Sequence, residues 1–235
     1  MDRRTFVAGM GAVALAGCAP AKPLGVYETT EVPAPAWKPG TRWTYKRTDR
    51  FTKLSRGTLT RSVVAVENGR FRLTTLNENG VLLDDAIFTE PGIQIAGTLS
   101  EEGPMIGGFD PLWRRYDFPL VTGKRWKDRF YINRTDNQGQ QNFVQLSSWA
   151  EGWENIEVGG QTHRAIILRR SWNLGPRSFW NGTLYRDEIE WYIPQLGAPA
   201  RWITTEEYYY GPTYRLSDLV KGDHFLYLLE NFHLP

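Results

Sequence analysis

Hydrophobic and polar residues alternate along much of the chain with a period of two, which is typical of β-strands that are buried on one face. Trp43 and Tyr45 alternate with basic and hydroxyl side chains, and the segment 70–75 shows the same alternation. Ten tryptophans and eleven tyrosines also agree with strand propensity. Further alternating runs lie at 123–132, 142–158, 163–172, 184–193 and 200–210. The pattern predicts an all-β or mainly β protein.

Short turn signals separate these runs. They are the pairs Asn68-Gly69, Asn79-Gly80, Pro91-Gly92, Gly159-Gly160 and Asn181-Gly182. Because such pairs join antiparallel strands in tight hairpins, the segment 63–88 is predicted to form two consecutive hairpins of a meander. In the C-terminal segment 214–235, the apolar residues from Phe225 onward alternate, so we favour a strand there over a short helix. The Gly- and Pro-rich segment 100–117 is predicted to be a long surface loop.

The first seventeen residues predict an export signal rather than part of the fold. Arg3 and Arg4 form a basic start, and the apolar stretch 6–15 is too short to span a bilayer, which takes about 20 apolar residues. The segment 2–7 resembles the twin-arginine signal, which implies export of a protein that has already folded. Residues 1–17 are therefore predicted to be a signal peptide.

The single cysteine of the chain follows this signal directly. The string Leu15-Ala16-Gly17-Cys18 resembles the lipobox of bacterial lipoproteins, which implies signal-peptidase recognition of the first three residues and lipidation of the Cys18 sulfur. The alternative is an ordinary secreted protein with a chance cysteine. Ala19, by resemblance to the sorting rule of Gram-negative lipoproteins, favours the outer membrane. We therefore expect a lipid-anchored protein of the bacterial cell envelope, on the periplasmic face of the outer membrane.

The anchor is followed by a proline-rich segment and then by the alternating runs. Residues 18–39 contain five prolines and little periodic apolar pattern, which predicts an extended tether. Residues 40–235 are predicted to form one β-rich globular domain, since single all-β domains of roughly 200 residues are common. With no second cysteine, this domain must be stabilised by its core rather than by an intramolecular disulfide.

Charge and composition give no reason to expect nucleic acid, a metal ion or a cofactor. The chain has 28 Lys and Arg against 26 Asp and Glu; residues 1–17 contain two Arg and one Asp, which leaves 26 against 25. This balance gives no electrostatic reason to expect nucleic acid as a partner. His163, His224 and His233 are isolated from any other His or Cys at metal-ligand spacing, so no metal is expected. Without a phosphate-binding glycine loop before a helix, no cofactor is expected either.

Two segments in the second half, 151–171 and 188–202, carry a longer pattern. Its residues here are Glu154, Ile156, Val158, Gly160, Ala165, Trp191, Tyr192, Pro194, Leu196 and Gly197. The pattern resembles one found in periplasmic and outer-membrane proteins whose folds are similar to the bacterial lipoprotein carriers LolA and LolB. The resemblance implies a single curved antiparallel sheet of the meander type, an open half-barrel around an apolar cavity, with a short helix or plug loop allowed. These residues describe strands and turns, so the resemblance implies no catalytic residue.

Two glutamates of one predicted strand are the strongest candidates for catalysis. Glu188 and Glu190 project from the same strand face, with attachment points roughly 6.6 Å apart. This spacing is compatible with the carboxylate pair of a glycosidase, which lies about 5 to 9.5 Å apart. Such pairs are also ordinary on a solvated strand face, as are Asp84-Asp85 and Glu206-Glu207, and we expect that role here. The sequence therefore favours a protein that is not an enzyme.

The surplus of aromatic residues is the remaining functional signal. Most of these rings are expected in the core, but Trp113 and Trp180 lie in predicted loops and are candidates for contact with a ligand or partner. The first hypothesis is a lipoprotein that binds a hydrophobic, lipid-like ligand in a cavity of roughly 300 to 1,000 Å³. The alternative is a structural or interaction lipoprotein that contacts another envelope protein. A glycan-active enzyme using Glu188 or Glu190 is the least favoured hypothesis.

Overall fold

The computed structural model describes residues 24–99, 106–134, 141–176, 181–210 and 219–235, and their strands form one antiparallel sheet. A short 3₁₀ turn, Pro194–Leu196, connects two of the strands. The thirteen strands are β1 (Arg42–Asp49), β2 (Ser55–Glu67), β3 (Arg70–Asn77), β4 (Leu82–Glu90), β5 (Ile93–Ala96), β6 (Ile106–Asp110), β7 (Trp113–Arg114), β8 (Arg125–Arg134), β9 (Gln141–Val158), β10 (Gln161–Pro176), β11 (Asn181–Ile193), β12 (Ala198–Tyr210) and β13 (Leu219–His233).

The strand order places two meanders side by side. Strands β8 to β13 are consecutive neighbours, strands β1 to β5 are likewise consecutive, and the pairing of β13 with β1 joins the two sets. β6 lies beyond β8 at one end of the sheet, and β7 lies beyond β5 at the other. This arrangement confirms the predicted all-β fold with a single curved antiparallel sheet. The sheet is nearly closed, like a barrel, rather than open like a half-barrel.

Side-chain contacts connect the two ends of the sheet. Arg114 in β7 places its Nε 3.0 Å from Asp128 Oδ1 in β8, and its Nη2 donates to the Lys127 carbonyl at 3.0 Å. The indole N–H of Trp126 donates back to the Arg114 carbonyl at 3.2 Å. Within the described residues, β7 and β8 are thus joined by these contacts rather than by a strand ladder.

Most of the predicted turns are found, with two corrections. Asn68 and Gly69 join β2 to β3 with φ of 51° and 73°, the left-handed conformation that a two-residue hairpin turn requires. The pair at 181–182 is not a turn, since β11 begins at Asn181. The segment 100–117 is not a single loop: β6 and β7 lie within it, and residues 100–105 are outside the described ranges. The C-terminal strand is confirmed as β13.

Three clusters of buried aromatic and aliphatic side chains fill the described interior. The first contains Trp43, Tyr45 and Trp202, and Trp202 stacks on Tyr227 with ring centroids 4.0 Å apart. The second surrounds Tyr192, and the remaining one contains Trp113 and Trp172. Burial of such rings is the main stabilising contribution available to a domain without a disulfide.

The described part of the predicted tether, residues 24–39, packs against the sheet. Val26 forms a β-bridge with Trp153, and Val32 forms another with Leu120. Trp37 donates its indole N–H to the Gly197 carbonyl at 3.0 Å. Over these residues the segment is therefore held against the domain, and it is not an extended spacer.

Candidate functional site

A group of charged side chains lies on the inner face of three neighbouring strands, in the interior of the curved sheet. Because successive side chains of a strand point to opposite sides, alternate residues of β10, β11 and β12 share this face. The segment after β7 adds an arginine and a tyrosine. This ionic cluster consists of Arg115, Tyr116, Arg170, Arg186, Glu188, Glu190 and Glu206.

Glu190 is the best-paired carboxylate of the ionic cluster. Its Oε1 lies 2.9 Å from Arg170 Nη1 and 3.1 Å from Arg115 Nη2, and the Tyr116 hydroxyl donates to Oε2 at 3.0 Å. Burial opposes ionisation of Glu190, but the charges of Arg170 and Arg115 outweigh it and hold the pKa of the carboxyl below its usual value. Burial also raises the pKa of the Tyr116 phenol, which keeps this donor protonated. Glu190 is therefore an ionised carboxylate that accepts two hydrogen bonds and is paired with the Arg170 guanidinium.

Glu188 lies two residues away and has looser contacts. Its nearest guanidinium nitrogens are Arg186 Nη1 at 3.6 Å and Arg170 Nη1 at 3.7 Å. Burial raises the pKa of Glu188 by more than these charges lower it. Arg186 pairs more closely with Glu206, through Nε at 2.8 Å and through Nη2, and it donates to the Leu99 carbonyl. The pKa values of Glu188 and Glu190 are therefore shifted in opposite directions.

Two small cavities lie next to the ionic cluster within the described residues, and only the first is mainly polar. One, of about 30 Å³, is lined by Arg61, Glu188, Glu206, Thr204 and other residues of the sheet interior. A second, of about 20 Å³, lies between Arg61 and Tyr45. A single water needs about 10 to 15 Å³ on this measure, so each cavity has room for only a few waters. Both cavities are far smaller than the apolar, lipid-sized cavity expected from the sequence, and the first is also polar.

Two larger grooves open on the outside of the molecule. One, of about 760 Å³, lies between the N-terminal segment and β8 and β9, with Tyr27, Trp126 and Trp149 along it. The other, of about 430 Å³, is lined by prolines and by Ile93 and Phe118. Space of the size that small apolar ligands occupy is therefore found at the surface of the described molecule.

The structure corrects two expectations about site residues. Glu188 and Glu190 do not lie on a solvated strand face: they are 8% and 1% exposed. Trp113 is not a surface residue, since it is 1% exposed and its ring lies 5.0 Å from that of Trp172. The prediction that Trp113 contacts a ligand or partner assumed that its ring lies at the surface, and this assumption is wrong. Trp180 lies outside the described residues, and so do the export signal at Arg3 and Arg4 and the lipobox from Leu15 through Ala16 and Gly17 to Cys18.

The sequence did not single out the partners of Glu190. Arg115 and Tyr116 lie in a segment predicted to be a loop, and Arg170 reads as an ordinary polar position of a strand. A usable signal is present: Arg170, Glu188 and Glu190 are in phase with the buried Trp172 and Tyr192 on their own strands. Charged residues in phase with the core predict buried ion pairs, because isolated buried charges are costly.

The described residues contain no group of three or more His, Cys, Asp or Glu side chains placed to hold a metal ion. They also contain no helix that is long and apolar enough to cross a membrane.

Comparison with known proteins identifies a shared fold. No family model and no curated protein sequence matches the chain. A candidate lipoprotein of Parabacteroides distasonis has a similar structure, with a TM-score of 0.51 and 16% identity over 86% of this chain and 99% of its own. A candidate exported protein of Bacteroides fragilis with a YmcC-like fold gives a TM-score of 0.50 and 11% identity, over 87% and 100% of the two chains.

The hypothetical lipoprotein YmcC of Escherichia coli is more distant in structure, with a TM-score of 0.43 and 10% identity over 83% of this chain and 85% of its own. At these identities the likeness to the proteins of Parabacteroides distasonis and Bacteroides fragilis is one of fold alone. The comparisons therefore connect the chain with a YmcC-like fold. The predicted likeness to LolA and LolB stays a prediction.

Proposed function

We propose that the chain is a lipid-anchored protein of the bacterial cell envelope and that its domain is an interaction module that acts through its outer surface. Export and anchoring rest on the basic start at Arg3 and Arg4 and on the lipobox that ends at Cys18. The likeness of fold to a candidate lipoprotein and a candidate exported protein supports the same location. Ala19 favours the outer membrane and its periplasmic face.

One observation carries the choice of an interaction module over a carrier. Within the described residues, the sheet interior holds aromatic clusters and the ionic cluster, with cavities of about 30 and 20 Å³. An acyl chain placed between Glu190 and Arg170 would break their ion pair, and an unpaired buried charge is strongly destabilising. The interior therefore serves stability, and binding is left to the outer surface.

A hydrophobic ligand remains a second candidate function because of the outer groove. Its volume of about 760 Å³ lies in the range of small-molecule sites, and Tyr27 and Trp149 border it with aromatic rings. In this alternative the ligand binds between the N-terminal segment and β8 and β9 rather than inside the sheet.

We also propose that the domain is not an enzyme. Glu190 accepts hydrogen bonds from Arg115 and Tyr116 and is paired with Arg170, and a carboxylate held in this way is a poor base or nucleophile. Glu188 borders a cavity with room for a few waters but not for a sugar ring. The arrangement is that of a structural ion-pair network.

Two measurements test these proposals. The intact mass of the mature protein from membranes should show acylation at Cys18, and the Cys18→Ser variant should lack it and leave the membrane fraction. A soluble chain beginning at Ala19, exported through another signal and purified without detergent, should release no stoichiometric apolar molecule into organic solvent. A stoichiometric lipid in that extract would overturn the interaction module in favour of the carrier.

A further inference from the structure

The outer face of β8 carries a column of basic side chains. Arg125, Lys127 and Arg129 are exposed and alternate with buried residues, so all three project outward from one strand. Within the described residues none of the three has an ion-pair partner. From the first to the last, the column is roughly 13 Å long at about 3.3 Å per residue. It is a cluster of positive charge with no carboxylate within ion-pair distance among the described residues.

Aromatic side chains flank this column. Tyr131 continues it along β8 and contacts Phe143 of β9 with ring centroids 5.1 Å apart, and the two side chains are 46% and 39% exposed. At the other end, Trp149 is the cross-strand partner of Arg125. We call the outer surface of β8 and β9 from Arg125 to Tyr131 and from Phe143 to Trp149 the β8–β9 face. It combines unpaired cations with exposed rings.

The β8–β9 face adjoins the point where the predicted anchor joins the domain. The Leu24 backbone N–H donates to Glu151 Oε2 at 3.3 Å, and Val26 bridges to Trp153, which places the segment beside the end of this face. Only six peptide steps separate Leu24 from Cys18. A fully extended chain covers at most about 3.6 Å per residue, so an acylated Cys18 lies within about 22 Å of Leu24. An anchored domain must therefore keep this side near the bilayer.

We propose that the β8–β9 face binds the anionic headgroups of the membrane to which Cys18 is anchored. This inference rests on the proposed lipid anchor and adds an orientation to it. Basic side chains are attracted to anionic lipid surfaces, and tyrosine and tryptophan rings are favoured at the headgroup level. The acyl chains hold the domain at the membrane, and the β8–β9 face determines which side of the domain meets the lipid.

Charge elsewhere on the sheet supports this choice of face. On β9 and β10, the outward Glu151 is paired with Arg169 at 3.0 Å, so it does not offset the basic column. On β3, which is far from β8 in the order of strands, the outward Arg72 is paired with Asp85 at 2.7 Å. The β8 column has no such carboxylate within the described residues.

The test uses the mature acylated protein in vesicles and one fluorescent label at a time. The label is attached at Gln145→Cys, opposite Arg129 on the β8–β9 face, or at Val64→Cys, which is exposed on β2 about half-way round the sheet. Acylation blocks the thiol of Cys18, so the new cysteine is the one that reacts. With headgroup-quencher lipids in phosphatidylglycerol-containing vesicles, we expect strong quenching at position 145 and little at position 64.

Two charge-reversal variants complete the design. R125E/K127E/R129E should lose the quenching at position 145. Each basic residue near an anionic surface raises the affinity for that surface about fivefold, and the three together raise it about a hundredfold. The matched variant R42E/K46E/R50E, which changes the same charge at exposed residues in and just after β1, should retain it. Pure phosphatidylcholine vesicles should give little quenching at either position.

Each contrary result has a distinct meaning. Equal quenching at positions 145 and 64, or equal quenching on phosphatidylcholine, would overturn the proposed headgroup contact, even with the protein fully anchored. If the label at position 145 is quenched only after a purified envelope protein is added to the vesicles, the β8–β9 face binds that protein rather than the lipid. This result would also overturn the proposed headgroup contact. Failure of the unlabelled protein to float with vesicles, with no acyl mass on Cys18, would instead overturn the anchor.

Discussion

Glu188 and Glu190 differ in their surroundings although they share one strand face. Glu190 accepts hydrogen bonds from Arg115 and Tyr116 and forms an ion pair with Arg170, whereas the nearest cations of Glu188 are 3.6 and 3.7 Å away. Burial acts on both side chains, but only at Glu190 do the neighbouring charges prevail. The same residue type thus has two different energetic roles, and substitutions separate them.

We expect Glu190→Gln to lower the free energy of unfolding at neutral pH by about 3 to 5 kcal/mol, because it leaves Arg170 and Arg115 buried without their carboxylate. Glu188→Gln should cost less than about 1 kcal/mol or be stabilising, since Arg186 keeps Glu206 and Arg170 keeps Glu190. Chemical denaturation of both variants measures the difference. Equal losses would show that Glu188 is an equal member of the ionic cluster.

Asp49, at the end of β1, makes a contribution to the stability of the fold that depends on pH. Backbone N–H groups of Thr52 and Phe51 and the Arg56 side chain donate to its carboxylate and lower its pKa to about 2. A depressed carboxyl pKa stabilises the fold fully above the unfolded value of 3.8 and loses that effect as the pH falls through about 2. Asp49→Asn should therefore be destabilising at pH 6 and nearly neutral at pH 2. Thermal unfolding at the two pH values checks this, and a loss of equal size at both would contradict it.

At the scale of elements, the N-terminal segment depends on close backbone packing against β9. A Cβ on Gly152 would lie 2.7 Å from the Leu24 carbonyl oxygen and 2.9 Å from that of Val26. These distances are too short for contact without movement, and backbone atoms cannot yield as a flexible side chain does. Glycine at position 152 thus allows the segment to pair with Trp153.

We expect Gly152→Ala to displace the segment and to abolish the slow amide exchange of Val26 and Trp153, which hydrogen bond to each other's carbonyls at 2.7 and 2.8 Å. Hydrogen exchange read by mass spectrometry measures this. Gly108→Ala in β6 is the matched control, because the nearest atom to its Cβ is 4.0 Å away. Unchanged protection at Val26 in the first variant would show that the segment is not held by this contact.

Elements were more predictable from the sequence than the site was. Period-two alternation and the turn at Asn68-Gly69 predicted strands and hairpins because both signals are local. The pairing of β13 with β1 joins residues nearly two hundred positions apart, and no local pattern encodes it. For Glu188 and Glu190 the alternation indicated a shared face, but it could not show that β10 and β12 supply arginine and glutamate beside them, so their burial was missed.

For the whole molecule, the contact between β7 and β8 closes the sheet through side chains and not through a strand ladder. Asp128 is 8% exposed, and burial raises its pKa despite the bond from Arg114. Arg114→Met would leave this carboxyl without its cation. We expect a loss of about 1 to 3 kcal/mol in the free energy of unfolding, with faster amide exchange in β5 and β8 than in β10 and β11.

Arg72→Met is the control for this variant. It also removes an arginine–aspartate pair between neighbouring strands, but Arg72 is 55% exposed and the pair should be worth less than about 1 kcal/mol. Equal effects of the two substitutions would show that the Arg114 contact does not close the sheet.

The pairing of β13 with β1 has a consequence for the order of events during synthesis. β13 follows every other strand in the chain, yet it lies in the middle of the sheet, between β12 and β1. A ribosome-bound chain that ends before residue 219 holds two separate meanders, each with an exposed edge where β13 belongs. The domain can therefore complete its fold only after residues 219–233 have emerged from the ribosome, an order that suits an export route for proteins folded before they cross the membrane.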